Sequence, residues 1–137
     1  MAYSNFYGWF YVIRQQVGAA LLAVWNLACG RYYLVALILA QIIAWLESIF
    51  IYRNLSGDLL ILHYNVDFGV DLVGIPARIF TYPLIGLGIA ILNLILAATT
   101  YNHKDFRVFV HFLLAAALVF GLFLNLALLF VYLINFR

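Results

Sequence analysis

Polar and apolar residues alternate along one stretch of an otherwise oily chain. From 62 to 72 the apolar residues take the even positions, and His63, Asn65, Asp67, Gly69 and Asp71 take the odd ones. A period of two belongs to an extended strand with one wet face and one greasy face. The pattern therefore predicts a short extended element, and it lies between long apolar runs. Three of those runs, 32–52, 79–98 and 108–135, reach the roughly 20 apolar residues that a helix needs to cross a bilayer. The third is long enough to need tilt or to protrude.

The stretch before them has a different texture. Tyr3, Phe6, Tyr7, Trp9, Phe10 and Tyr11 cluster at its start, and Arg14, Gln15 and Gln16 follow. The clean apolar run after Gln16 is short, in the range of an interfacial or buried segment. An arginine at the centre of a span costs roughly 2.5–3.5 kcal/mol. Residues 1–30 are therefore expected to form an interfacial helix that turns at Gly30. The alternative is a fourth span with Arg14 reaching back to the surface.

Composition sharpens this into a class. The chain has 137 residues, of which 69% are hydrophobic and 9% charged, with a mean hydropathy of +1.10. A soluble domain carries about 25% charged residues, and a water-soluble core of this size would not hide so much apolar surface. The expected fold class is all-α: an integral membrane helical bundle, one domain over 1–137, with three transmembrane helices, an N-terminal interfacial helix and a short extended extracytoplasmic element. The alternative bundle has four transmembrane helices. The net charge of +2 gives no reason to expect nucleic acid.

Basic residues orient the chain. Arg14, Arg31, Lys104 and Arg107 fall on one side of the expected membrane. Arg53, Arg78 and the C-terminal arginine fall on the other, diluted by Asp58, Asp67 and Asp71. The positive-inside rule then puts the N-terminal segment and the 99–107 turn in the cytoplasm, and the 53–78 connection outside.

Candidate chemistry is sparse. Glu47 is the one acidic residue inside an expected span, and an intramembrane carboxyl is a functional candidate by default. Asn93 and Asn125 are intramembrane amides able to bond across helix contacts. Small residues recur at helical spacing, Ala36, Ala40 and Ala44 in the first span, Gly86 and Ala90 in the second, Ala117 and Gly121 in the third. Such spacing lets backbones approach and predicts packing seams. His63, Asn65, Asp67 and Asp71 carry ligand atoms, but alternate side chains on a flat strand stand roughly 6.5–7 Å apart. No metal site, cofactor or catalytic set follows from them. Cys29 is the sole cysteine, so no intrachain disulfide forms.

Around the polar stretch the chain resembles a bacterial membrane domain of uncharacterised function, found in immunity proteins against the sporulation-delaying toxin. The resemblance rests on His63, Asn65, Gly69, Asp71, Gly74 and the later Pro83-Leu84, within residues 58–98. Where that domain has a proline two before the histidine, this chain has Ile61. The resemblance implies a small protein of the bacterial inner membrane with an immunity or signalling role, and carries no catalytic residue.

The leading expectation is a non-enzymatic interaction protein whose His63, Asn65, Asp67, Gly69 and Asp71 motif docks a partner, either another membrane protein or a second copy. The alternatives are an oligomeric transporter or channel using Glu47, and a membrane enzyme at the outer leaflet.

Overall fold

The computed structural model describes the backbone of all residues except 1, 56, 66, 68 and 137, and the side chains of those except 2–10, 12, 13, 64, 65 and 71. The side chains of the aromatic cluster from 3 to 10, of Asn65 and of Asp71 lie outside the described residues.

Among the described residues four α-helices carry the fold, α1 (Ala2–Asn26), α2 (Ala28–Asn54), α3 (Thr81–Thr99) and α4 (Phe106–Asn135), with strands β1 (Leu60–Asn65) and β2 (Gly69–Gly74) between α2 and α3. A short 3₁₀ turn, Pro76–Phe80, leads into α3. Among the described residues three helical segments are long and apolar enough to cross a membrane: Ala28–Asn54, Pro76–Thr99 and Phe106–Asn135. The protein is a membrane-embedded, all-α bundle with a small two-stranded ribbon. Large apolar side chains such as Ile42, Leu84, Leu92, Phe112 and Phe123 stand half or more exposed on its flanks. That surface would aggregate in water and is at home in lipid.

The spans run up, down and up. One end of the bundle carries the β-ribbon, and the other carries the 100–105 loop; we call them the hairpin end and the loop end. Small residues set the central contact. Ala40, Ala44 and Ser48 are buried along α2 and Ala117 along α4. A Cβ built on Gly121 would sit 4.0 Å from that of Ala40, ordinary contact. Helix backbones approach where side chains are this small. The space left at the centre is about 10 Å³, ringed by residues including Ala40, Gly86, Ala90, Ala117 and Asn125. That is about the volume one water needs, so a single copy is packed shut.

Two cores close the ends. At the hairpin end Ala44, Ile51, Leu60, Leu62, Ile79, Leu128 and Val131 pack together. At the loop end Val24 of α1 joins Ala97, Val110 and Leu114.

The structure differs from the sequence reading at two turns. The chain corners between α1 and α2 at Leu27, which is extended (φ −73°, ψ 126°), and not at Gly30. Gly30 lies in the first turn of α2, where the backbone carbonyl of Val24 crosses it; a Cβ there would collide with that oxygen. The glycine is needed for close approach of two helices, not for a bend. The period-two stretch is likewise not one strand but two, paired antiparallel as a hairpin. Gly69 opens β2 with φ +78°, a left-handed conformation that glycine adopts without strain.

Candidate functional site

The hairpin stands at one end of the bundle, and its mounting begins with its sequence. Leu60 and Leu62 of β1 are buried. Between them, Ile61 presents its backbone to α4. The Ile61 N–H donates to Asn135 Oδ1 at 3.0 Å, and Asn135 Nδ2 donates to the Ile61 carbonyl at 2.8 Å. The amide thus imitates one residue of a neighbouring strand, and its second N–H donates to Val131 O at 2.8 Å. The register slips between Ile61 and His63, leaving Leu62 as an extra residue of a bulge. Its carbonyl accepts the hydroxyl of Tyr82 at 3.3 Å. Side chains from α3 and α4 therefore hold the β1 edge.

The other edge follows from the ladder. Ile61 pairs with Val73, and both backbone groups of Ile61 point at Asn135. In an antiparallel ladder such a pair exchanges no hydrogen bonds, so Val73 aims its own N–H and carbonyl away from β1. The side chains flanking that edge are apolar and open: Val70, Leu72, Val73 and Ile75 are between 42% and 60% exposed. The greasy face expected from the alternation is thus buried on β1 and open on β2.

The motif residues divide between the strands. His63 on β1 and Asp67 at the turn have exposed side chains. Asn65 pairs with Gly69 across the turn, and Asp71 lies on β2. Among the described residues no three histidine, cysteine, aspartate or glutamate side chains gather as a metal-binding set.

The intramembrane polar residues behave differently from one another. Asn125 on α4 donates to Gly121 O of its own helix at 2.7 Å and to Ala40 O of α2 at 3.2 Å, bridging the two. Asn93 donates within its own helix, to Ile89 O at 2.9 Å. Gln41, which the sequence reading passed over, crosses from α2 to the Pro83 carbonyl of α3 at 2.6 Å. A polar amide in mid-span was the available signal. A Cβ on Gly86 would press on Gln41 Oε1 and Leu124 Cδ1, each at 3.1 Å, so this glycine keeps room for that bond.

Glu47 lines a shallow groove of about 430 Å³ with Leu46, Phe50, Ile51, Leu128, Leu129 and Tyr132. Its Oε2 is buried with no hydrogen-bond partner among the described residues. An unpaired buried oxygen costs about 1–3 kcal/mol. Replacing Glu47 with leucine is therefore expected to leave the isolated bundle as stable or to raise its Tm in detergent. A fall in Tm would mean that the carboxyl holds the fold together.

Tyr33 and His111 meet at the loop end, with the tyrosine oxygen 3.1 Å from Nδ1 of the histidine. His63 sits on the hairpin at the other end, so these two histidines serve separate places.

No family model matches the chain, and no curated protein or solved structure does either.

Proposed function

We propose that this is a non-enzymatic interaction protein of the bacterial cytoplasmic membrane, and that the hairpin is its docking element. The observation that carries the reading is the one-sided mounting of the ribbon. Its β1 edge is fastened by Asn135 and Tyr82, while the β2 edge at Val73 faces outward among half-exposed apolar side chains. An unprotected edge strand is a template for an extended segment of another chain. His63 and Asp67 add polar contacts near the turn. By the positive-inside rule the hairpin faces outward from the cell, since Arg31, Lys104 and Arg107 lie at the loop end and Arg14 on α1 precedes it. The resemblance to the immunity-protein domain supports an immunity or signalling role, with a membrane protein, a toxin or a second copy as partner.

Two variants test this. Replacing His63, Asn65 and Asp71 together by alanine removes the motif side chains. Val73→Pro removes the outward N–H without touching a bond of the β1–β2 ladder, a place where an edge strand tolerates proline. Native mass spectrometry of protein gently extracted from its own membrane should show a bound protein partner or a second copy. Both variants should lose it at least tenfold while keeping their helix content. Unchanged association in both would remove the hairpin from partner binding.

A second reading has Glu47 carrying protons or gating ions between copies. Its support is the buried Oε2 in the α2–α4 groove, which has no hydrogen-bond partner among the described residues; the close packing at the centre of one copy favours a path between copies. Liposome flux that falls in Glu47→Gln would favour it, and the absence of flux in the unaltered protein would end it.

A further inference from the structure

A second concave surface lies at the opposite end, between α1 and α3. It is an open groove of about 600 Å³. Its floor and walls are apolar, formed by Val17, Leu21, Ile91, Leu94 and Ile95. Its polar lining is Gln15 and Gln16 on α1 and, at the loop end of α3, Thr99, Tyr101 and Asn102. The hairpin, at the far end of the spans, takes no part in it.

Three features of this groove agree on one kind of occupant. The first is depth. From Ile91 to Thr99 the groove follows α3 for about 12 Å at 1.5 Å per residue. One leaflet of hydrocarbon is about 15 Å, half of a 30 Å core. The second is the change along α3 from the apolar Ile91, Leu94 and Ile95 to the hydroxyl and amide groups of Thr99, Tyr101 and Asn102 at the loop end, as the change from acyl tail to headgroup requires. The third is charge. Lys104 follows the rim residue Asn102 by two, and Arg14 precedes the lining residue Gln15 on α1, both exposed. Arg31 and Arg107 stand at the same end, where Asp105 is the one acidic residue. Asp105 is engaged with His103, whose Nδ1 is 3.6 Å from its carboxylate.

We propose that the α1–α3 groove is a binding site for an anionic glycerophospholipid. One acyl chain lies along Leu21, Ile91, Leu94 and Ile95. The headgroup phosphate sits at the Tyr101–Asn102 rim with Gln15 and Gln16 on the facing α1 wall, within the field of Lys104 and Arg14. The groove holds α1 against α3 through the lipid as well as through side chains.

The test uses the full chain in detergent. Phosphatidylglycerol and phosphatidylcholine with identical tails are added in equal amounts, and retained adducts are read by native mass spectrometry. One phosphatidylglycerol should be kept in roughly tenfold preference over phosphatidylcholine. Arg14→Gln and Lys104→Gln should each lower that preference about fivefold. Ala98→Trp fills the groove and should abolish the retained adduct, while Gly88→Trp, on a face with nothing within 4 Å of the added Cβ, should keep it. If Ala98→Trp loses helix content, Ala19→Leu narrows the groove from the α1 side and is read the same way. Equal retention of the two lipids by the unaltered protein would overturn the proposal. So would a phosphatidylglycerol adduct that survives in a folded groove-filling variant.

Discussion

Replacing Gly30 by alanine is expected to loosen α1 from the bundle, at a cost of about 3 kcal/mol. The new methyl group would be driven into the Val24 carbonyl, and neither atom has a flexible end to swing aside. Both belong to helix segments joined by the single extended residue Leu27. Relief requires the α1–α2 corner to open. Val24, fully buried against Ala97, Val110 and Leu114, would then leave its place in the loop-end core. The readout is a large fall in Tm in detergent, with early proteolysis within α1. Gly18→Ala is the matched control. A Cβ there has nothing within 4 Å, so removing a helix glycine should be neutral or gain up to about 1 kcal/mol. Equal behaviour of the two variants would show that the corner does not depend on close approach.

Asn135→Leu should release the hairpin while leaving the spans in place. The variant strands the Ile61 N–H and carbonyl together, and each unsatisfied backbone group costs about 1–3 kcal/mol when water cannot replace the bond. Water at the membrane surface recovers part of this, so about 2 kcal/mol is expected. Hydrogen exchange at the Ile61 amide should then quicken roughly thirtyfold. Exchange in the middle of α2 and α4 should hold. Asn135→Asp keeps an acceptor for the Ile61 N–H and loses the donor to its carbonyl, so it should fall between the two. No change at Ile61 in Asn135→Leu would mean that burial of Leu60 and Leu62 suffices to seat the ribbon.

The spans were legible because they depend on length and apolarity, which a sequence displays directly. Arg53 through Asp58 and Tyr101 through Arg107 mark their breaks in plain polar residues. The hairpin was half legible. An alternation of two persists through a turn whenever the turn preserves parity, so one strand and two folded together read alike; Gly69 was the signal for the reversal. The corner at Leu27 was not legible, because no turn residue stands there and it carries no side-chain cap. Burial of Ala20 and Val24 decides where α1 ends. Asn93 and Asn125 are equivalent in sequence, each an amide among small residues, and only packing separates the local bond from the bridging one. Asn135 looked like the polar end of a long helix, and its pairing with Ile61 depends on a register across 74 positions.

That separation imposes an order on biogenesis. The residues of the ribbon leave the ribosome well before Asn135 does, and at roughly 5–20 residues per second the interval is on the order of 4–15 s. Throughout it, the β1 edge lacks its amide partner, and both sides of the nascent ribbon are open to strangers. The insertion machinery has that interval in which to shield it, and a slower chain lengthens the exposure in proportion.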